Sequence, residues 1–341
     1  MRITSARVTA SEVARKAGVS QAAVSLVLSR NPKARFAEET RARIIQAAAE
    51  LGYRPNLVAR ALVNRRSFAL GVLVPSLGDP VYAAIVSGAK RVASETGHAL
   101  LLAEATADDQ VAQLRALADR QIDGVIIAGV LAASLPAEEL AALHVVIVNQ
   151  PSAHFSTLAE DSIRAGAIAA EHFLGLGHSR IAFIGPASSS HVFRHRERGF
   201  AQAVRASGTA MQSEYWQRAD ATVAGGVAAM RTLLALHERP TAVFCANDLS
   251  ALGAHKACTA AGVQLGKELS LLGCDDIEIG TLVTPELSTI HTPLGELGAR
   301  AVRDLLSQQD IPRVVPAAKT LPVKLVIRGT TGRPAASPPG A

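Results

Sequence analysis

Gln21, Ala22, Ser25 and Leu26 share one stripe of a short helical stretch, and their chemistry suits the edges of bases. A glutamine carboxamide makes paired hydrogen bonds to adenine, and alanine or leucine methyls pack on the methyl of thymine. Ser20, Arg35, Arg41 and Arg43 offer hydroxyl and guanidinium groups suited to phosphates, which position a protein without reading sequence. The opposite stripe is apolar. Val13, Ala14, Ala17, Val19, Val24, Val27 and Leu28 make a small shared core, joined by Ile44, Ile45, Ala48 and Leu51.

These residues need short helices to hold them. Ser11 is expected to cap the first, with Glu12 at its positive end and Gly18 in the turn. Ser20 caps a second helix over Gln21–Ser29, and a third runs from about Ala37 to Leu51 with Gly52 ending it. Three short helices with a tight glycine turn between the first two form a helix-turn-helix, although a generic three-helix bundle shares the bare pattern. Charge separates the two readings. Residues 1–66 carry 13 Lys/Arg and 4 Asp/Glu, a net of +9, whereas the remaining 275 residues have a net of −3. A positive head on a near-neutral body is the footprint of a polyanion-binding module.

At 341 residues, 49% hydrophobic and 19% charged, the chain has room for more than one domain and a large core. It lacks an uninterrupted apolar run of membrane-spanning length, and residues 1–10 lack the apolar stretch of a signal peptide, so a cytoplasmic location is expected. Cys245, Cys258 and Cys274 lie far apart without CxxC spacing, which fits buried free thiols better than a disulfide frame or zinc site.

From Phe68 onward strands alternate with helices. Strands are expected at Ala69–Val74, Ala99–Ala103, Gly124–Ala128, Val145–Val148, Arg180–Ile184, Thr241–Cys245 and Ser270–Gly273. The helices between them are Val81–Thr96, Asp109–Arg120, Ser162–Leu176, Arg196–Ser207, Val223–His237 and Asp248–Ala261. Such alternation builds parallel sheets covered by helices, here two of them, with a cleft between. Ligands of these folds sit at the carboxyl ends of the strands.

The strings VTASEVARKAGVS (8–20), EETRARI (38–44) and ELGYRPNLVARAL (50–62) resemble the lactose/purine-repressor (LacI) family of transcription regulators. So do GVLVPSLGDPVY, DGVIIAG, EDSIRAGAIAAEHFLGLGHSRIAFIGP, RHRERGF, RPTAVFCANDLSALGA, SLLGCDD and PELSTIHTP, which spread the likeness over almost the whole chain. The resemblance implies an N-terminal all-α helix-turn-helix head plus an α/β periplasmic-binding-protein-like core of two doubly wound parallel-sheet subdomains. It implies a DNA-binding domain at 1–55, a hinge helix and linker at 56–67, and an effector-binding and dimerisation core at 68–330. Within that core one subdomain takes 68–156 plus 291–319 and the other 157–290 plus 320–330, with three chain crossings; 331–341 is expected to be a disordered tail. In the hinge, Leu62 is the residue implied to wedge into the minor groove, with Asn56, Ala59 and Arg60 lining it.

The same resemblance places effector contacts at Ser76, Asp79, Tyr82, Asn149, Arg196, Asn247 and Asp275. Arginine and carboxylate groups suit adjacent hydroxyls. Asn149, Asp275 and Asp79 also suit turns or helix starts, and Asp248 is the expected cap of its helix. Arg196 stands out because its basic neighbours Arg194 and Arg198 leave it no obvious structural partner. Ala221 and Gln150 stand where relatives often carry an aromatic platform, which favours a sugar-like effector over a nucleobase. Leu26 and Ala23 replace the Arg or His and the Thr frequent in the family, so the operator is expected to differ. Ala37 replaces a capping serine, at a cost of ~1 kcal/mol. A homodimer matches a near-palindromic site on double-stranded DNA.

Two other classes compete: a cytoplasmic sugar-binding protein, and an α/β enzyme with a nucleic-acid-binding head. Gly262 to Glu268 lacks the spacing and final Ser/Thr of a phosphate loop, and Gly175-Leu-Gly177 ends a helix instead of following a strand. There is no G-x-S-x-G elbow and no HExxH. His178, His191 and His195 are expected on surface loops. No catalytic set, metal or cofactor is expected.

Overall fold

A computed structural model describes residues 8–28, 36–53, 66–129, 135–140, 143–187, 190–308 and 317–335. The chain divides into two compact units, Met1–Ser67 and Phe68–Ala341.

The first unit holds helices α1 (Ala10–Ala17), α2 (Gln21–Leu28) and α3 (Glu38–Glu50). Thr9, not Ser11, caps α1. Its hydroxyl accepts from the Glu12 backbone N–H at 3.4 Å, and the Glu12 carboxylate accepts from the Thr9 N–H at 2.7 Å. This T-x-x-E capping box satisfies two otherwise orphaned donors, so the helix starts earlier than a cap at Ser11 would set it. Gly18 adopts φ 68°, a conformation costly for other residues, and closes the turn as expected. Ser20 accepts from the Ala23 N–H at 3.2 Å and starts α2, while Ala37 makes no side-chain cap for α3. Val13, Val24 and Ile44 are fully buried where the three helices meet. Ile45 is 52% exposed instead of joining that core, because the inner stripe of α3 runs through Ile44, Ala47 and Ala48. Lys16 and Glu50 pair at 2.6 Å between α1 and α3.

The second unit begins with β1 (Ala69–Val74), α4 (Pro80–Glu95), β2 (Ala99–Glu104), α5 (Gln110–Ala118), β3 (Gly124–Ala128), α6 (Ala137–Leu140), β4 (Val145–Val148) and β5 (Ser156–Glu160). It continues with α7 (Ser162–Gly175), β6 (Ile181–Gly185), α8 (His191–Ala206), β7 (Trp216–Arg218), α9 (Val223–Leu234), β8 (Ala242–Cys245), α10 (Asp248–Ala260) and β9 (Ser270–Asp275). It closes with β10 (Ser288–His291), α11 (Leu294–Gln308), β11 (Ala318–Leu321) and β12 (Lys324–Val326). Among the described residues these strands form two six-stranded sheets, ordered β11-β5-β4-β3-β1-β2 and β12-β10-β9-β8-β6-β7. Their ladders are parallel except for the antiparallel edge pair β10–β12. Every residue of β3, β4, β6, β8 and β9 is buried, as befits strands covered on both faces.

β5 belongs to the first sheet, so that sheet's share of the chain runs past the expected limit at 156 to Glu160. Likewise β11 keeps the first sheet's later segment going to Leu321, beyond the expected 319. Residues 331–332, expected in a disordered tail, are anchored. The Gly332 carbonyl lies 2.8 Å from His178 Nε2, and the Thr331 hydroxyl lies 3.1 Å from His172 Nε2. His178 is therefore buried beneath this segment and is not on the surface. His191 and His195 lie on α8, which starts before the expected Arg196, and not on loops. The three cysteines are free and buried, and burial pushes the Cys258 thiol up to about 12. No helix among the described residues is long and apolar enough to cross a membrane.

Glycines set the helix spacing. A Cβ at Gly166 of α7 would lie 1.9 Å from the Arg196 carbonyl oxygen, and one at Gly199 of α8 would lie 1.9 Å from that of Ile163. α4 and α11 meet in the same reciprocal way through Gly88 and Gly298, and α9 and α10 through Gly226 and Gly253. Backbone-to-backbone contact of this kind fixes where α8 carries Arg196.

Candidate functional site

On α2, Gln21, Ala22, Ser25 and Leu26 are exposed while Ala23, Val24 and Val27 face the core. Ser20 is exposed at the start of the helix. Leu26 is 39% exposed, a large apolar side chain that reaches solvent on the same helix as Gln21. The Ser11 hydroxyl, released from capping, donates to Gln21 Oε1 at 3.3 Å. Arg41 and Arg43 sit on α3, Arg43 exposed and Arg41 half-buried. Arg35, Asn56, Ala59, Arg60 and Leu62 lie outside the described residues.

In the second unit, the carboxyl ends of β1, β3, β4, β5, β8 and β9 border a cavity of about 130 Å³. Six of the seven residues expected to contact an effector line it: Asp79, Tyr82, Asn149, Arg196, Asn247 and Asp275. Ser76 does not, and its hydroxyl instead accepts from the Gly78 N–H at 3.2 Å. The cavity draws residues from both sheets' halves of the unit, as a cleft between two doubly wound sheets must.

Several of these side chains have a second task. Asp79 accepts from the Val81 N–H at 2.9 Å and so caps α4, with Pro80 in the first turn. Asn247, not Asp248, caps α10 by accepting from the Ser250 N–H at 3.1 Å. Asp248 turns inward: it accepts from the Thr289 hydroxyl at 2.6 Å and from the Ile277 N–H at 2.9 Å. Burial raises its carboxyl to about 6. Asn149 and Asp275 have φ of 60° and 125°, backbone conformations sparsely used by residues with side chains. Such strain gathers where a site over-determines the backbone. Gly129 has φ 68°, and a Cβ there would lie 2.6 Å from the Tyr82 hydroxyl, so the glycine keeps that wall open.

Arg196 is the electrostatic centre. Nη1 donates to the Ala246 carbonyl at 2.6 Å, Nη2 to Asp275 Oδ1 at 2.6 Å, and Nε to Glu160 Oε1 at 3.0 Å. Nη2 also donates to Glu160 Oε1. The expectation that Arg196 lacks structural partners is thus overturned: they come from β5, β9 and the end of β8, distant in sequence. The side chains of Arg196, Asp275 and Glu160 are 2%, 4% and 0% exposed. Burial disfavours the guanidinium charge, but Asp275 and Glu160 more than offset this and hold it well above its ordinary value. Burial pushes the Asp275 carboxyl up against the pull of Arg196. It also raises Asp79, and with the charges of Asp79 and Asp275 it pushes Tyr82 up to about 12.

Sequence reasoning did not single out Glu160. It sits at the end of β5, whose Ser-Thr-Leu-Ala-Glu run is too polar to read as a buried strand. The signal was the acidic pair opening the EDSIRAG string. Phe193 and Val192, on the first turn of α8, complete the apolar wall, and Ala221 leaves the mouth open toward a wider depression of about 620 Å³.

Comparison with known proteins accounts for both units. Residues 9–56 match the model of the bacterial regulatory proteins of the lacI family, and residues 170–331 match a periplasmic binding protein-like domain. The chain is 32% identical over 329 residues to the HTH-type transcriptional repressor CytR of Escherichia coli (strain K12), covering 95% of this chain and 96% of that one. It resembles the lac repressor dimer bound to operator and the anti-inducer ONPF, with a TM-score of 0.80 and 28% identity over 96% of this chain and 99% of that one. It also resembles the transcriptional regulator CelR–cellobiose complex, with a TM-score of 0.71 and 27% identity over 95% of this chain and 100% of that one. With a helix-turn-helix at one end and a two-sheet periplasmic-binding-protein-like body at the other, the chain belongs to the lacI family of bacterial regulatory proteins and is a DNA-binding transcriptional regulator, not an enzyme.

Proposed function

We propose that the chain is a cytoplasmic repressor that binds a near-palindromic operator as a homodimer and answers to a small, sugar-like effector held in the second unit. Ser20, Gln21, Ala22, Ser25 and Leu26 read and position the head, with Arg35 on phosphate. Asn56, Ala59, Arg60 and Leu62 act in the minor groove. Asp79, Tyr82, Asn149, Arg196, Asn247 and Asp275 contact the effector. Ser76 acts from beside the cavity, through the turn to Gly78 that precedes Asp79.

One observation carries the effector reading. Residues scattered from 79 to 275 converge on a single polar cavity at strand ends drawn from both sheets. Closing such a cleft around a ligand shifts one sheet's half against the other, a two-state element through which effector binding bears on operator binding. The scarcity of aromatic residues, 4% of the chain, and Ala221 at the mouth favour a polyol over a nucleobase. The CelR structure, bound to cellobiose, is consistent with this. Three buried free thiols suit a reducing compartment.

The test is selection of genomic fragments by the purified protein at fixed moderate salt, repeated with pooled sugars and with pooled nucleosides. A near-palindrome whose recovery changes with sugars is the expected outcome. A response to nucleosides alone overturns the sugar assignment, and no enrichment under any condition overturns sequence-specific repression by this protein.

A further inference from the structure

The cavity is described by Asp79, Glu160 and Asp275 on the acidic side and by Arg196 alone on the basic side. Four N–H bonds of Arg196 already point at protein acceptors: Glu160 Oε1 twice, Asp275 Oδ1 and the Ala246 carbonyl. A guanidinium has five such bonds, so this one is close to saturated before any ligand arrives. Glu160 is the reverse. Its Oε1 takes Arg196 and the Ser162 hydroxyl, at 3.2 Å from the latter, while its Oε2 is buried and has no hydrogen-bond partner. A buried carboxylate oxygen without a donor is costly, and a residue that lines a cavity is placed to receive the donor from whatever fills it.

We propose that the cavity selects an effector that brings hydroxyl or amino donors and carries no phosphate or carboxylate, with the free oxygen of Glu160 as the specificity-determining contact. The inference rests on the reading of this cavity as the effector site and narrows its ligand class. A phosphate or carboxylate in the same space finds three carboxylates and one arginine with four of its five N–H donors already engaged. The helix termini that elsewhere welcome anions are partly closed here: Asp79 caps α4 and Asn247 caps α10. The N-terminus of α8, at Ser190, remains the place an anion would use, and binding there is the competing outcome. The regulator then senses a free compound ahead of any phosphoryl transfer that consumes it.

Calorimetric titration of the full chain with matched pairs tests this: D-ribose and ribose 5-phosphate, D-glucose and glucose 6-phosphate, D-glucosamine and glucosamine 6-phosphate, together with cellobiose. Free compounds supply the binders, and each phosphorylated partner of a binder is weaker by about a hundredfold or more, the scale of placing like charges together. In Glu160→Gln that ratio narrows by about tenfold, since one charge and one acceptor are lost while the volume stays. Should Glu160→Gln unfold, Asp79→Asn leaves every partner of Arg196 in place and probes the same excess of negative charge. A phosphorylated sugar that equals or beats its free parent overturns the inference and leaves the sugar reading standing. Ratios unchanged in the folded variants remove Glu160 from the role. If nothing in the series binds, the sugar reading itself fails and the inference goes with it.

Discussion

Arg196 Nη2 donates to Asp275 Oδ1 at 2.6 Å, joining residues 79 positions apart in the sequence. The bond ties α8 to the end of β9, and through Glu160 the same guanidinium reaches β5 of the other sheet. Arg196 thus stands in the wall of the cavity and in the structure that holds the wall together. Arg196→Ala leaves two carboxylates buried without a counter-charge, and removing one partner of a buried pair costs about 3–5 kcal/mol. Urea unfolding is expected to show a loss of that size together with a lost effector response. Asp275→Asn keeps the shape and one acceptor, so its loss is smaller. Full stability in Arg196→Ala would mean that the carboxylates find other partners.

The head and the alternation of the body were open to reading because their signals are local. A capping residue, a glycine turn and an apolar stripe lie within a few residues of one another, as Ser20, Gly18 and Val24 do. The apolar runs at Ala69–Val74 and Val145–Val148 declare buried strands by composition alone. What was hidden depends on pairing between distant segments. β11 and β12 are short and half-polar and become strands only through β5 and β10. The partners of Arg196 are unreadable for the same reason, since nothing near residue 196 announces Glu160 or Asp275. Ser11 shows the opposite failure: a good local cap lost to the better reciprocal box of Thr9 and Glu12.

Gly166 and Gly175 both lie in α7, yet alanine should act oppositely at the two. At Gly166 a Cβ meets the Arg196 carbonyl oxygen at 1.9 Å, and backbone cannot rotate away. Overpacking of this kind costs about 1–3 kcal/mol, and here it also displaces the arginine. At Gly175 nothing lies within 4 Å, and alanine gains about 0.4–1 kcal/mol by restricting the unfolded chain. Thermal unfolding of Gly166→Ala and Gly175→Ala should move in opposite directions. A shift of the same sign in both would show that α7 and α8 do not meet through Gly166.

Asp248 gives a pH dependence of defined sign. Burial is the largest cause of its rise from 3.8 to about 6, so folding favours the protonated acid. Its stabilising contribution is fully present below pH 3.8 and is lost as pH rises through about 6. A rise of this size corresponds to about 3 kcal/mol. Asp248→Asn stays neutral and keeps an oxygen for the Ile277 N–H or the Thr289 hydroxyl. The difference in stability between variant and parent should therefore grow in the variant's favour from pH 4 to pH 7. Asp79, raised, is common to both proteins and cancels in that difference, whereas Asp275 and Asp276 interact with the Asp248 charge and add to the change when it is removed. A difference that is flat with pH would place the Asp248 carboxyl near its ordinary value.

Ser11 and Thr9 lie in the same turn but separate stability from recognition. The Thr9 hydroxyl caps α1, so Thr9→Ala should lower the head's stability by about 1 kcal/mol. The Ser11 hydroxyl donates to Gln21 Oε1 instead, which leaves the cap untouched and restrains the carboxamide that faces solvent beside Ala22 and Leu26. A carboxamide held in one orientation offers its paired donor and acceptor to one base edge at lower entropic cost than a free rotor. Ser11→Ala is therefore expected to keep the melting temperature while broadening the base preference at a single operator position in a binding selection. Gln21→Ala should erase that preference at the same position, a loss of about 1–3 kcal/mol in discrimination. Because phosphate contacts are unchanged, non-specific affinity and its salt dependence should stay the same in both variants. If Ser11→Ala reproduces the parent's base preference at every position, the hydrogen bond to Gln21 does not orient the reader. If Ser11→Ala instead melts lower in step with Thr9→Ala, Ser11 shares the capping role that the geometry gives to Thr9.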